Sequence, residues 1–167
     1  MSCKTSSLGV YNKILNKLNE LKSNSHNGNF KLHYFIPEDF SVNGQLPSQI
    51  LKADVFNAFK LWENLFNKLY IKNGFHKDSL KLSFNQTSKI ENADFIINSS
   101  SLSSNTKRAD VSKNEDEIVT LTLNKNLEYN LPNTRGNVYA LNTLVHYIGR
   151  ALGFTSASAN SVNNSVF

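Results

Sequence analysis

Two side chains near the end of the sequence, His146 and Arg150, stand four residues apart in the stretch NVYALNTLVHYIGRALG at positions 137–153. In a helix, this spacing places both side chains on one side. A histidine pair at this spacing, with a glutamate directly after the first histidine, is how a helix holds zinc and its catalytic base. Here Tyr147 stands in the glutamate position and Arg150 in that of the second histidine. The stretch therefore has the layout of a zinc helix but only the first of its chemical groups.

The same stretch predicts the helix that must carry these side chains. His146 and Arg150 project roughly opposite to its apolar face. We expect Gly149 to let another backbone approach the helix, and Gly153 to end it at a left-handed cap. The apolar residues recur at the three- and four-residue spacing of a helix with one buried face: Leu141, Leu144, Val145, Ile148 and Leu152.

Two further helices are predicted upstream. Residues 7–23 place Leu, Tyr and Ile at near-helical spacing, and this N-terminal amphipathic helix occupies residues 1–30 together with its linker. The longest helix begins at Ser48 and ends at Asn73-Gly74. It has an apolar stripe that we assign to the core, with Trp62 as the largest burial: Leu51, Val55, Phe59, Trp62, Phe66 and Leu69.

Strand patterns fill the rest of the sequence. KLHYFI at 31–36 indicates a strand that the following proline ends. LKLSF at 80–84 and EIVTLTL at 117–123 alternate apolar and polar residues, as strands with one buried face do. ADFIIN at 93–98 is apolar on both faces and is therefore predicted to be a central strand. The polar, serine-rich residues 99–116 are predicted as a long loop. The fold class is α/β (α+β), a single domain with a twisted sheet of about four or five strands and two long helices packed on it.

Composition narrows the classes of partner. The chain has 167 residues, enough for one domain with a proper core, and a net charge of +5 spread along the sequence without a basic cluster. We therefore expect no nucleic acid as a partner, and the absence of a long apolar run argues against a membrane. The lysine-rich first residues do not form an export signal, which favours intracellular synthesis. Cys3 is either a spare thiol or half of an intermolecular bond.

From residue 31 onward the sequence resembles the catalytic domain of matrixins, the zinc metalloproteases that include the matrix metalloproteinases. KLHYFI is similar to their first strand, and VFNAFKLWENL to their first helix. LKLSFNQTSKIENADFIINSS resembles their pair of strands, and EIVTLTLNKNLEYN the strand before the active-site helix. NVYALNTLVHYIGRALGF resembles that helix itself. The resemblance implies a zincin-like domain over residues 31–167.

The same resemblance shows which functional groups are replaced. The family holds zinc with three histidines and polarises the bound water with a glutamate. Of these positions His146 is kept, whereas Tyr147, Arg150 and Ser156 take the other three. Arginine is always cationic and has no lone pair for a metal. Tyrosine cannot take a proton from zinc-bound water at neutral pH as a carboxylate can. We expect no catalytic residue, no bound metal and no cofactor.

Other family features are also missing from the sequence. The interval at 99–116, where the resemblance implies structural zinc and calcium sites, has no histidine and has as carboxylates only Asp110, Glu115 and Asp116. The Met-turn position falls at Ser165-Val166-Phe167 and holds no methionine. We expect the domain to be truncated at this position, without the family's terminal helix and without a preceding cysteine switch.

Two functions from different classes remain. The first is a pseudoenzyme that uses the matrixin fold as a structural or interaction protein, with self-association into an oligomer or lattice as the expected partner mode. Arg150 and Cys3 are its interaction candidates, although Arg150 is equally explained as a solvated arginine. The second is an active zinc metalloprotease with an altered ligand set, which needs new ligands near His146. We favour the first, and we interpret His146 as a partly buried histidine and not as a residual metal ligand.

Overall fold

The computed structural model describes residues 28–43, 47–72, 80–104, 106–129 and 139–152. Over these ranges the predicted α/β class is confirmed. The predicted N-terminal helix, Cys3 and Ser156 lie outside the described residues. The elements in chain order are β1 (Gly28–Phe35), α1 (Ser48–Lys72), β2 (Leu80–Thr87), a 3-10 turn (Ile90–Asn92), β3 (Phe95–Ser100), β4 (Ala109–Lys113), β5 (Val119–Asn124) and α2 (Ala140–Leu152).

The five strands form one twisted sheet in the order β2-β1-β3-β5-β4. β2, β1, β3 and β5 run parallel to one another, whereas β4 runs antiparallel to β5 at one edge. The register aligns the buried side chains of adjacent strands, for example Phe95 with Val119 and Ile97 with Leu121. Because side chains alternate between the faces of a strand, this alignment gives the sheet one apolar face.

Both helices bury their apolar stripes on that face and form one core with it. α1 packs against β2, α2 packs against β4 and β5, and the helices contact each other. The predicted stripe of α1 is confirmed at Leu51, Val55, Phe59 and Trp62, which are fully buried. Trp62 is the largest of the fully buried side chains, as predicted. Its burial alone is worth roughly 1.5–3 kcal/mol on the scale of large apolar side chains.

The structure corrects the prediction of a long loop at 99–116. β3 continues to Ser100, and β4 occupies Ala109–Lys113 inside the predicted loop. β4 was missed because it is short and lies at the sheet edge, so that only Ala109 and Val111 turn apolar side chains toward the core. Two inward residues among polar neighbours do not make a recognisable alternation.

The opposite edge of the sheet is covered by side chains of α1. The Asn67 side-chain amide donates to the Leu82 carbonyl and accepts from the Leu82 N–H, both at 3.1 Å. One turn earlier, Glu63 Oε2 accepts the Phe84 N–H at 2.9 Å. These side chains satisfy backbone groups of β2 that face away from β1, as a neighbouring strand otherwise would. Covering an edge in this way blocks its pairing with another strand.

Candidate interaction site beside helix α2

Helix α2 is held in place by Trp62 of α1. The indole Nε1 donates a buried hydrogen bond of 2.8 Å to the Val145 carbonyl. The indole ring lies directly on Gly149, where a Cβ atom would come within 2.3 Å of Cζ2. Gly149 was expected to admit another backbone, but it is a side chain that approaches. The missing Cβ lets α1 and α2 pack closely and fixes how α2 is rotated about its axis.

This rotation leaves His146 and Arg150, which the i, i+4 spacing predicts on one side of α2, beside Tyr147 in the structure. The His146 ring makes an edge contact with Tyr147, with 5.1 Å between ring centroids and 78° between ring planes. The Arg150 guanidinium lies over the same ring, 5.6 Å from its centroid. Such a cation–π contact is worth about 0.5–1 kcal/mol at an exposed site. Tyr147 is therefore the centre of this group.

His146 is half-buried in a positively charged environment. Its pKa is lowered from the ordinary value of 6.5, mainly by burial and further by the charges of Arg150 and Arg108. Both effects disfavour the protonated ring, because burial penalises a charge and neighbouring cations repel it. His146 consequently stays neutral at neutral pH.

The structure adds residues to this site that the sequence did not reveal. Arg108 immediately precedes β4, and Asp110 is its second residue. The pKa of Asp110 is lowered, first by the hydrogen bond from Lys107 and also by the nearby Val111 N–H and the Arg150 charge. The Lys107 ammonium lies 2.7 Å from the Asp110 carboxylate. These contacts place the start of β4 beside α2, so Arg108 and Arg150 belong to one basic region.

Tyr129 supports the backbone at Arg108 in that region. Its hydroxyl lies 3.0 Å from the Arg108 carbonyl and 3.2 Å from the Asn124 carbonyl, and its single proton is shared between these two acceptors. Burial, followed by the neighbouring Tyr147, raises the pKa of Tyr129 to about 12. The hydroxyl therefore keeps its proton and holds the backbone at Arg108 against the end of β5. Only the strand pairing of β4 could have shown that residue 129 lies near residue 108.

Asn124 fixes the loop that carries the basic residues. It is fully buried, and its side-chain amide donates to the carbonyls of Ser104 at 3.1 Å and Lys107 at 2.8 Å. Its Oδ1 accepts the N–H groups of Leu102 and Asn126. A buried amide with both ends paired specifies one loop conformation, because any rearrangement leaves a buried polar group without a partner.

Thr143 lies on the same side of α2 as Tyr147 and Arg150, at i, i+4 and i+7. Its side chain is buried, and its Oγ1 forms no hydrogen bond within the described ranges. Leaving a hydroxyl in this state costs about 1–3 kcal/mol. Thr143 is thus a buried polar group one turn before Tyr147 on this side of α2.

In the described part of the chain, no three His, Cys, Asp or Glu side chains are grouped closely enough to hold a metal ion. None of its helices is both long and apolar enough to cross a membrane. Neither the protein-family models nor the curated proteins contain a match to this chain.

Proposed function

We propose that this chain is a non-catalytic protein with a matrixin-like fold that acts by binding protein, including further copies of itself. The observation that carries this proposal is the position of Arg150. The resemblance assigns this residue to the position of the second zinc histidine, and its guanidinium lies over the Tyr147 ring, 5.6 Å from the centroid. A cation therefore stands where the resemblance implies a metal ligand.

The side chains around His146 do not suit a zinc ion. His146 has a single lone pair to offer as a neutral ring, and its neighbours Tyr147 and Arg150 supply neither a second nitrogen ligand nor a carboxylate base. Besides burial, which is the main cause, the charges of Arg150 and Arg108 lower the pKa of His146 by repelling a proton. The same field repels a divalent cation more strongly, because the repulsion grows with the charge of the ion.

The order of elements supports the matrixin-like part of the proposal. The segments that carry the resemblance coincide with separate elements: KLHYFI with β1, VFNAFKLWENL with α1, ADFIIN with β3, EIVTLTL with β5 and the final helix with α2. Trp62, in the segment VFNAFKLWENL, is the residue that anchors α2. A fold can keep such packing after its site is lost, because packing and chemistry depend on different residues.

Metal analysis combined with a peptidase assay tests the proposal. The wild-type protein should purify without stoichiometric zinc and should not cleave peptides after zinc is added. The triple variant Tyr147→Glu, Arg150→His and Ser156→His restores the ligand and base types that the resemblance assigns to these positions. We expect it to bind about one zinc ion per chain. A control, Tyr139→Glu with Asn142→His, introduces a glutamate and a histidine at exposed positions directly before and within the first turn of α2 and should bind none.

The outcomes separate the two functions. Stoichiometric zinc in the wild type, lost to a chelator together with peptide cleavage, would establish the alternative of an active metalloprotease with an altered ligand set. A folded triple variant without zinc affinity would contradict the matrixin-like placement of the three positions. Self-association is judged separately by sedimentation of the wild type over a dilution series. A strict monomer at high concentration would remove that part of the proposal.

A further inference from the structure

The outer edge of β4 carries backbone groups that β5 does not use. The Asn124 N–H donates to the Arg108 carbonyl at 2.9 Å, and the Asn114 N–H donates to the Ile118 carbonyl at 3.1 Å. In an antiparallel pair, residues that bond to the neighbour alternate with residues that face away from it. The even-numbered residues of β4 therefore bond to β5. The N–H and C=O groups of Ala109, Val111 and Lys113 point to the outer edge.

These outward groups have no partner in another element among the residues that the structure describes. Within β4 itself, the Val111 N–H contacts the carboxylate of Asp110, which is half exposed and can turn away. The β2 edge differs, because Asn67 and Glu63 cover it at Leu82 and Phe84. The sheet is thus closed on one side by its own helix and has outward-facing backbone groups on the other.

Opposite charges flank this edge strand. Lys107 and Arg108 precede it, and Arg150 lies close to the same end. The turn that follows the strand carries Glu115 and Asp116. Both carboxylates are exposed, and neither has an ion-pair partner among the described residues. The residues that flank the strand are therefore positive at one end and negative at the other, while Asp110 and Lys113 within it already pair with Lys107 and Glu117.

We propose that two copies of this chain pair through their β4 edges, antiparallel about a two-fold axis at Val111. This inference rests on the proposed self-association and names its interface. An antiparallel arrangement places the positive end of each strand beside the negative end of the other. The charges of this edge therefore complement those of the same edge on another molecule. For this reason the binding partner that we propose is a second copy of this chain.

The alternation of backbone groups in β4 is compatible with this register. With Val111 opposite its own counterpart, Ala109 lies opposite Lys113 of the second copy, and all three positions are outward-facing residues that can form hydrogen-bonded pairs. The same register places Lys107 opposite Glu115 of the second copy. Lys107 can exchange its contact with Asp110 for this one at little cost, because that ion pair is half exposed.

Charge exchange between the two copies tests the register. Sedimentation velocity of the full chain at low salt should show a dimer, and Lys107→Glu or Glu115→Lys should each raise its dissociation constant about tenfold or more, since like charges then face each other twice. An equimolar mixture of the two variants should dimerise as well as the wild type. In the mixed dimer, both facing pairs are again of opposite charge.

Matched controls lie at the far side of the sheet. Lys89→Glu and Glu91→Lys make the same charge changes at exposed positions beyond β2 and should leave the dissociation constant unchanged. A backbone variant, Lys113→Pro, removes an outward N–H while keeping the bonds to β5 and should weaken the dimer more than Lys113→Ala does. Thermal unfolding of each variant verifies that it is folded.

A dimer that is insensitive to Lys107→Glu, Glu115→Lys and Lys113→Pro would overturn the β4 interface while leaving self-association in place. Weakening by both charge variants without recovery in the mixture would overturn the antiparallel register. A monomeric wild type would overturn both the interface and self-association. The non-catalytic part of the proposed function would be unaffected, because it depends on the zinc and peptidase measurements.

Discussion

Trp62 lies on Gly149 so closely that a Cβ atom at Gly149 would come within 2.3 Å of indole Cζ2 and 2.9 Å of Cη2. The indole Nε1 also donates to the Val145 carbonyl one turn earlier on α2. Shape and hydrogen bonding thus fix the same contact between the two helices. The positions of His146, Tyr147 and Arg150 depend on this contact, because it sets the rotation of α2.

Gly149→Ala should destabilise the protein by about 1–3 kcal/mol, the usual cost of overpacking a core, despite the better helix propensity of alanine. The buried indole ring cannot move away without displacing its own core neighbours. Urea unfolding measures the change. Asn142→Ala, at an exposed position of the same helix, is the control and should be neutral or slightly stabilising.

The cause can be isolated with a double-mutant cycle. In a Trp62→Phe background the benzo ring of the indole is absent, so Gly149→Ala should cost clearly less there than in the wild type. Equal costs in both backgrounds would show that the contact with Trp62 is not the origin of the effect.

Asn124→Ala should destabilise the protein by about 2–4 kcal/mol, because it leaves the Ser104 and Lys107 carbonyls without their donor inside the fold. The loss should loosen the loop that precedes β4 before it unfolds the sheet. Faster hydrogen exchange at residues 102–108 together with a lower urea midpoint is the expected result.

Asn126→Ala is the matched control for that variant. Asn126 is exposed, and its Oδ1 accepts a hydrogen bond from Ser101 at the surface. We expect a change within about 0.5 kcal/mol. A similar loss of stability in both variants would contradict the role of Asn124 as the buried support of the loop.

The sequence predicted the elements whose apolar residues repeat over several turns or several pairs. The stripe from Leu51 to Trp62 was sufficient to place α1, and the alternation at 80–84 was sufficient to place β2. β4 could not be predicted, because its two inward residues, Ala109 and Val111, occur within a polar stretch. Such a strand is specified by the register of its neighbour β5 and not by its own composition.

The site was predictable on the helix but not around it. Helical spacing alone places His146 and Arg150 on one side, whereas the contacts of both with the Tyr147 ring are seen only in the structure. Arg108 joins them through the pairing of β4 with β5, a relation between residues far apart in sequence. The interpretation of Gly149 failed for a similar reason. A glycine in a helix indicates a close approach, but periodicity does not say whether a backbone or a tryptophan approaches.

His146 should titrate below its ordinary pKa of 6.5 when followed by NMR. Arg150→Gln should raise this pKa, and Arg108→Gln should raise it less, while burial keeps it below the ordinary value in both variants. Lys89→Gln, an exposed lysine at the other edge of the sheet, is the control and should have no effect. A pKa of His146 unchanged by Arg150→Gln would contradict the proximity of the two side chains.

The lowered pKa of His146 has a consequence for stability with a defined sign. Since the unfolded chain protonates at a higher pH than the folded one, it binds more protons below about pH 6.5. The contribution of His146 to the free energy of unfolding therefore decreases as the pH falls through that value. His146→Asn should reduce this pH dependence. Urea unfolding of both proteins between about pH 5 and pH 8 gives the comparison.

Glu117 adopts a positive φ of 63° in the turn between β4 and β5. This conformation costs a non-glycine residue about 1–2 kcal/mol, and glycine avoids the cost but loses more entropy on folding. Glu117→Gly should therefore stabilise the protein by about 0.5–1 kcal/mol in urea unfolding, since the exposed pair of Glu117 with Lys113 at 3.6 Å contributes little. Glu115→Gly is the control in the same turn and should be neutral or destabilising, because residue 115 has no positive φ. Equal changes in the free energy of unfolding for the two variants would show that the positive φ of Glu117 does not lower the stability of the protein.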